Sequence, residues 1–312
     1  MNTYFNKISK KNLSLLIATI ALVLIGYGKY YIQKNIRQND GFSLRHIQST
    51  MTFNPKYPQI ELTDLDQKHL DEAINQNYSY LGRGGQCFVF ISEDDRYVIK
   101  FFKHNKRRPR FYSSWPAPEF LQKWINKKNE KRKKKQKLDF DSYYMGMTEL
   151  KEQTGMVWAH LNKTKNLQKQ IVITDKMGRR FQIDLDNYEF LIQKKAEKIH
   201  DRISFLMKNQ QESKARSLIH HLIESLIIRS KKSIIDDDPI LDKNFGCIDD
   251  KALFIDVGRF RKNHHISSPL VYIKDIYRIT AAFRKWLEQE YPQLTKDLEE
   301  TIETAAPPSS TN

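Results

Sequence analysis

Two apolar, aromatic-rich runs between Tyr78 and Lys103 constrain the fold more than any other part of the sequence. They flank the polar turn Ser92–Asp95, and strand-forming residues on both sides of a short turn are typical of a β-hairpin. Residues 170–174 and 180–185 also predict strands around a second turn. The chain is therefore expected to contain an antiparallel sheet.

Helices are predicted for most of the remaining chain. Residues 211–230 place Leu and Ile at the spacing of one helix face. Residues 66–76 and 141–161 and the region around Phe283 are also predicted to be helical. The sequence thus predicts a mixed α+β domain, with the strands concentrated in its first half.

A glycine-rich pattern lies within the first predicted hairpin. Leu81 to Val89 reads L-G-x-G-x-x-x-x-V, with Gly82, Gly84 and Gly85 as its glycines. Glycine lets a backbone approach a phosphate closely, because no Cβ intrudes and positive φ is allowed. An ordinary glycine-bearing turn would give the same pattern, so the motif needs a second feature to indicate a binding site.

That second feature is the lysine of the next strand, Tyr97-Val98-Ile99-Lys100. A lysine among apolar neighbours in a strand needs an anion to pair with. Together the two motifs resemble the glycine-rich loop and the V-A-I-K strand of protein kinases, although Cys87 stands where many kinases have a third glycine. The resemblance implies that Gly82, Gly84, Gly85 and Lys100 contact the phosphates of ATP.

The resemblance also implies a carboxylate partner for Lys100. The predicted helix 141–161 stands where kinases have the αC helix, and it carries Glu149 and Glu152 on one face. Either could fix the ammonium group against the phosphates. The alternative for each is a solvated surface carboxylate.

Residues 234–260 resemble the second half of a kinase site. A polar loop ends in Asn244, a short apolar strand follows, and Asp256-Val257-Gly258 comes next. The resemblance implies that Asn244 and Asp256 hold Mg²⁺, which prefers hard oxygen ligands. The kinase spacing places the base at Pro239, so the candidate catalytic base is Asp238, with an acidic surface turn as the alternative.

The end of the chain departs from conventional kinases. Only 54 residues follow Gly258, and A-P-E is absent. The chain therefore resembles atypical or trimmed bacterial kinase-like proteins over roughly residues 77–290. The implied fold is a two-lobed kinase-like domain over residues 66–300, with an antiparallel β N-lobe (77–193), a shortened helical C-lobe (194–300) and a disordered tail (301–312).

Residues 12–28 contain no charged side chain. This length reaches the lower limit for a membrane-spanning helix, which predicts an N-terminal anchor over residues 1–32 and a linker over 33–65. A cleaved signal peptide is the alternative, although no A-x-A site follows. Three basic residues flank the run on each side, so the positive-inside rule leaves the orientation open.

The formal charge of +16 calls for an acidic partner. Between residues 101 and 137 there are 14 basic and two acidic side chains, including the tract Lys131–Lys135. Trp124 is the only aromatic residue between Leu121 and Leu138, and this scarcity of stacking platforms disfavours nucleic acid. We therefore expect the tract to contact anionic lipid headgroups.

The sequence leaves three functional hypotheses open. The first is a single-pass membrane protein whose cytoplasmic domain transfers phosphate from ATP to a small molecule, lipid or protein. The second is a catalytically inactive pseudokinase that serves as a scaffold for protein partners. The third is anionic lipid or nucleic-acid binding through the lysine-rich tract. Cys87 and Cys247 are far apart, which indicates neither a disulfide framework nor a zinc site.

Overall fold

The computed structural model describes residues 10–108 and 117–305, with side chains from residue 14 onward. The helices are α1 (Lys10–Gln38), α2 (Leu44–Ile47), α3 (Asp64–Ile74), α4 (Glu119–Thr148), α5 (Lys151–Thr154), α6 (Ile199–Lys208), α7 (Glu212–Lys231), α8 (Leu241–Asn244), α9 (Pro269–Glu290) and α10 (Pro292–Thr304). The strands are β1 (Tyr78–Arg83), β2 (Cys87–Ser92), β3 (Tyr97–Phe102), β4 (Met156–His160), β5 (Gln170–Thr174), β6 (Arg180–Asp184), β7 (Phe190–Lys194), β8 (Glu197–Lys198), β9 (Ile234–Asp236), β10 (Phe245–Ile248), β11 (Lys251–Phe254) and β12 (Phe260–Lys262). The predicted mixed α+β fold is confirmed.

A seven-stranded sheet forms the first half of the domain, in the order β4-β7-β3-β2-β1-β5-β6. Both predicted hairpins are present, since β2 pairs antiparallel with β3 and β5 pairs antiparallel with β6. The β5–β6 hairpin joins the sheet through a parallel pairing of β5 with β1. Strand β3 therefore lies in the interior of the sheet, between β2 and β7.

Aromatic side chains fill the core beneath this sheet. Phe90, Phe101 and Phe190 are fully buried, and both the Phe90–Phe101 and the Phe101–Phe190 ring centroids are 5.9 Å apart. Burial of one such side chain contributes about 1.5–3 kcal/mol. The alternation of side chains along each strand places these rings on one face, and the opposite face is left for the site described below.

The second half of the domain is mainly helical. Helix α7 buries Leu218, Leu222 and Leu226 against its neighbours, as the spacing of these residues predicts. It packs against β11, α6 and α10. Two small sheets complete this half: β11-β10-β8, and the antiparallel pair β9–β12.

The predicted helix 141–161 is wrong at both ends. Helix α4 begins at Glu119 and ends at Thr148, and residues 156–160 form strand β4, which pairs with β7. The short helix α5 ends at Thr154 and is followed by Gly155, whose φ of +61° lies in the left-handed region that terminates helices. All five residues of β4 are buried, so no alternation was present to indicate a strand.

The segment predicted as a linker packs against the sheet. Phe42 is fully buried, with its ring centroid 5.3 Å from that of Phe88 and 5.2 Å from that of Phe90. Ile47 is also fully buried. Residues 33–65 therefore include part of the domain. The prediction missed this because Phe42 is a single aromatic residue among polar neighbours, and the local sequence does not indicate that it is buried.

The end of the domain also lies later than predicted. Helix α10 continues to Thr304, and Ile302 is buried against the helical half. Residues 301–304 thus belong to the domain and not to a tail. The rest of the predicted tail, residues 306–312, lies outside the described residues.

Residues Ser14–Gln38 of α1 form a helix that is long and apolar enough to cross a membrane. It extends past the predicted boundary at residue 32, and its apolar side chains are exposed. The flanking Lys7 lies outside the described residues.

Candidate functional site

A cavity of about 400 Å³ lies between the sheet and the helical half. Its roof is the turn that joins β1 to β2, its back wall includes β3, and its floor is the segment after β11. Residues 193–196, which connect the two halves, form one edge. The cavity therefore brings together the glycine-rich motif, the strand lysine and the Asp-Val-Gly motif.

The glycine-rich turn is closed by a hydrogen bond from the Gly84 N–H to the Cys87 carbonyl, 3.0 Å long. The ammonium group of Lys103 donates to the Gly84 carbonyl from the side of the turn. Gly82 and Gly84 line the cavity, whereas Gly85 accepts a hydrogen bond from Lys106 at 3.3 Å and does not line it. A Cβ on Gly84 would lie 4.0 Å from Asp256 Oδ2, so the turn lies directly over that carboxylate.

Lys100 extends from the interior strand β3 into the cavity. Its ammonium group donates to the Ile255 carbonyl at 2.6 Å. Burial lowers the pKa of Lys100, and the neighbouring Asp256 carboxylate opposes that shift. Lys100 and Asp256 thus line the same cavity.

Neither predicted glutamate reaches Lys100. Glu149 caps the C-terminus of α4 and forms an ion pair with Lys262. Glu152 lies on α5 with its side chain exposed. The prediction placed both residues inside one long helix, and the break at residues 149–150 turns them away from the cavity.

The end of α4 instead contributes Tyr143, which the sequence did not single out. The Tyr143 hydroxyl donates to Gln86 Oε1 at 2.5 Å, and the Gln86 side-chain amide donates to the Gly258 carbonyl at 2.7 Å. Burial raises the pKa of the Tyr143 hydroxyl well above its usual value, which keeps it a neutral donor. These contacts join the tip of the glycine-rich turn to the floor of the cavity.

Asp256 follows strand β11 and has an exposed side chain at the cavity floor. Its Oδ1 accepts the Gly258 N–H at 3.2 Å, while Oδ2 is the oxygen beneath Gly84. The carbonyl of Asn244 accepts the Ile255 N–H at 2.8 Å, which places Asn244 beside Asp256. The structure therefore places the two predicted metal ligands next to each other through their backbones, since the Asp256 N–H also approaches the Asn244 carbonyl at 3.4 Å.

Asn244 has an oxygen available for a ligand. Its Nδ2 donates to the carbonyl of Asp238 at 2.5 Å, a bond that fixes the amide and leaves Oδ1 without a partner among the described residues. An amide oxygen beside a carboxylate is a donor set that suits Mg²⁺.

Asp238 lies in the turn after β9 with an exposed side chain. Its N–H donates to Asp236 Oδ1 at 2.9 Å. The six-residue spacing to Asn244 is accommodated by the turn and by the short helix α8, which ends at Asn244. The candidate base thus lies next to Asn244, one of the two predicted metal ligands.

Asp236, which was not assigned a role, is the buried carboxylate of this region. Burial raises its pKa to about 6, with the charges of Asp256 and Asp238 acting in the same direction. Its Oδ2 has no hydrogen-bond partner among the described residues. The sequence did not indicate that Asp236 is buried, because it lies in an acidic triplet. Its burial follows from the pairing of β9 with β12.

Arg229 is a second buried charge near Asp236. It is fully buried, and its only hydrogen bond in the described part of the chain goes to Asp275, at 3.3 Å. Its charge lowers the pKa of Asp236 and so partly offsets the effect of burial. The sequence gave little indication of this residue, since an arginine near a helix C-terminus is usually solvated.

No protein-family model matches the chain, and no curated protein matches it. Among solved structures, the chain is similar to WbdD, described as a bifunctional kinase-methyltransferase. One WbdD structure is 12% identical with a TM-score of 0.35, covering 76% of this chain and 48% of that one. Another is 15% identical with a TM-score of 0.31, covering 73% and 46%. The chain spans about half the length of these WbdD chains.

Proposed function

We propose that this protein is a membrane-anchored, kinase-like protein whose cavity binds ATP together with Mg²⁺. The observation that supports this most strongly is the position of Asp256, which lies beneath Gly84 and lines the same cavity as Lys100. A glycine turn, a cation and a carboxylate around one cavity suit a metal-bound triphosphate, since each binds a different part of it.

Each residue of the site has a proposed role. The Gly82 and Gly84 backbone covers the phosphates, and Lys100 orients them once its ammonium group leaves the Ile255 carbonyl. Asp256 and Oδ1 of Asn244 would hold a Mg²⁺ ion, which would supply positive charge to offset that of the phosphates.

The proposed base is Asp238, which would accept the proton of an acceptor hydroxyl. Its exposure allows an acceptor to approach, and its link to Asn244 keeps it beside the metal ligands. A base must lie within hydrogen-bond reach of the proton that it removes. The acceptor is a small molecule, lipid or protein at the membrane.

A scaffold function is the second candidate, and one observation favours it. Lys100 has no carboxylate from α4 or α5 as a partner in the described structure, because Glu149 pairs with Lys262. In active kinases a lysine–glutamate ion pair accompanies catalysis. A pseudokinase would keep the cavity and a surface for a protein partner without transferring phosphate.

Helix α1 is proposed to anchor the domain in the membrane as a single span, with the domain on the cytoplasmic side where ATP is available. The length of Ser14–Gln38 and the exposure of its apolar side chains support this. Protease added outside intact cells should leave the domain intact, and its digestion would contradict the cytoplasmic placement.

Nucleotide binding by the full chain in detergent, with and without Mg²⁺, tests the proposed site. Lys100→Met should lower ATP affinity by at least about tenfold, the loss expected for one charge-assisted contact to phosphate. The matched control is Lys198→Met, which removes the same charge from an exposed strand outside the cavity. Equal affinities for the wild type and Lys100→Met would mean that the glycine motif is only a turn.

A further inference from the structure

The first two thirds of α4 carry much of the positive charge of this protein. This part of the helix has two different faces. From Glu119 to Lys137 there are nine basic and two acidic residues. One face is turned toward the protein: Gln122, Ile125, Asn129, Arg132 and Gln136 follow spacings of three and four residues and are all buried or half-buried. The opposite face is exposed along its whole length.

This outer face, which we term the lysine face, begins with an apolar cluster. Phe120, Leu121 and Trp124 are exposed, with Phe120 showing 70% of its surface and Trp124 50%. Phe120 and Trp124 are four residues apart, so they lie above each other on the helix. Contiguous exposed apolar side chains are a feature of interaction surfaces.

Five lysines continue the same face: Lys127, Lys128, Lys131, Lys134 and Lys135. Their spacing from Trp124 keeps them on the outward side, and all five are exposed. Within the described residues none of them forms an ion pair, because the two nearby glutamates pair with Lys123 and Lys133. Lys128 instead lies over the Trp124 ring, with its Nζ 3.5 Å from the ring centroid.

The path of the chain links this helix to α1. Met51, Asn54 and Tyr57, which follow α1 by 13 to 19 residues, line a common cavity with Lys133, Lys134 and Lys137 of α4. A fully extended chain of 13 residues spans at most about 45 Å, so Met51 lies within that distance of the end of α1. Helix α4 reaches Met51 through Gln136, whose Nε2 lies 2.9 Å from the Met51 sulfur.

We propose that the lysine face of α4 lies on the surface of an anionic bilayer, with Phe120 and Trp124 inserted at the interface and the five lysines against lipid phosphates. An exposed aromatic cluster next to a strongly basic face is the arrangement of interfacial helices. The indole ring of Trp124 favours the headgroup level, where its apolar ring and its N–H are both accommodated, and the phenyl ring of Phe120 suits the apolar side of the interface. The proposal rests on the anchoring role of α1 and is independent of nucleotide binding.

The full chain reconstituted into vesicles tests this surface through the fluorescence of Trp124. Bromine-labelled lipids quench a tryptophan only at short range, and the signal of Trp124→Phe is subtracted to isolate this residue. Quenching should be at least about twofold stronger in vesicles with anionic phosphatidylglycerol than in phosphatidylcholine alone, and it should weaken with salt.

Replacement of the five lysines by glutamine should reduce this quenching to the level seen in neutral vesicles. The control replaces Lys274, Lys285 and Lys296 by glutamine. These lysines are exposed on α9 and α10, so their replacement should leave the quenching of Trp124 unchanged. Flotation with vesicles in alkaline carbonate reports on α1 separately, so a failed anchor is distinguished from a failed surface.

Equal quenching in neutral and anionic vesicles would overturn the assignment of the lysines to lipid phosphates. Quenching in neither would overturn the proposal as a whole. If an added oligonucleotide instead protected α4 from proteolysis, the lysine face would be a nucleic-acid-binding surface, and the lipid proposal would be overturned.

Discussion

The side-chain amide of Gln86 donates to the carbonyl of Gly258 at 2.7 Å, joining the tip of the glycine-rich turn to the Asp-Val-Gly segment. A Cβ on Gly258 would lie 1.5 Å from Gln86 Oε1, so only glycine leaves room for this contact. The roof and floor of the cavity therefore hold each other in place, although 172 residues separate them in sequence.

The Gln86–Gly258 contact predicts that substitutions at the two positions are coupled. Gly258→Ala should destabilise the protein by about 1–3 kcal/mol, because the glutamine must leave and its partners lose hydrogen bonds. Gln86→Ala makes the space that the new methyl group needs. The double variant should lose less free energy of unfolding than the two single variants lose together, by at least about 0.5 kcal/mol. Chemical denaturation of all three variants and the wild type measures this difference. Strict additivity would contradict the contact.

Asp256→Asn should abolish the gain in ATP affinity that Mg²⁺ provides. The neutral amide is a poorer ligand for a hard cation, while affinity without metal should hold or rise because a negative charge beneath the phosphates is removed. The control is Asp249→Asn, an exposed carboxylate in the turn between β10 and β11. Titration of both variants with ATP, with and without Mg²⁺, separates metal binding from general charge effects.

Asp238→Asn should abolish phosphotransfer and leave ATP affinity within about twofold, since a base acts on the acceptor and not on the bound phosphates. Asp236→Asn should have a smaller effect, because the amide oxygen of asparagine can still accept the Asp238 N–H. Autophosphorylation and ATP hydrolysis are the measurements. Unchanged activity in Asp238→Asn would remove that residue from the base role, and an inactive wild type would favour the scaffold function.

Asp236 predicts a pH-dependent stability. Its pKa is raised from an ordinary value of 3.8 to about 6, so the folded state holds this proton more tightly than the unfolded state does. Below about pH 4 this carboxyl is protonated in both states and does not lower the free energy of unfolding. As the pH rises to 6, its ionisation lowers the free energy of unfolding by at most about 3 kcal/mol. Asp236→Asn should raise the melting temperature at pH 8, and the difference from wild type should shrink toward pH 4.

Glu149→Gln should leave ATP affinity unchanged. Its ion pair is with Lys262, and both side chains are partly exposed, so the loss of stability should not exceed about 1 kcal/mol. A fall in ATP affinity similar to that of Lys100→Met would mean that the glutamate turns toward Lys100 in the nucleotide-bound state.

The predicted strands and the site differ in how far local sequence could define them. The two hairpins were predicted because alternation and turn residues lie within a few positions of each other. The helix 141–161 was wrong because Met156–His160 is buried on both faces, and a continuous apolar run does not distinguish a strand from a buried helix. The described structure also does not bring Glu149 to Lys100, since Glu149 lies where α4 ends and pairs with Lys262.

The sequence by itself determined the apolar helix α1 and the β2–β3 hairpin, and it suggested Lys100, Asn244 and Asp256 as candidates for the site, because each of these patterns is encoded by residues close together in the chain. Only the tertiary structure decided which distant groups meet. It placed Asp236 and Arg229 inside, joined Gln86 to Gly258, and packed Phe42 into the sheet. The reason is physical: burial and long-range contacts depend on how strands and helices pack, and local residue patterns do not specify that packing.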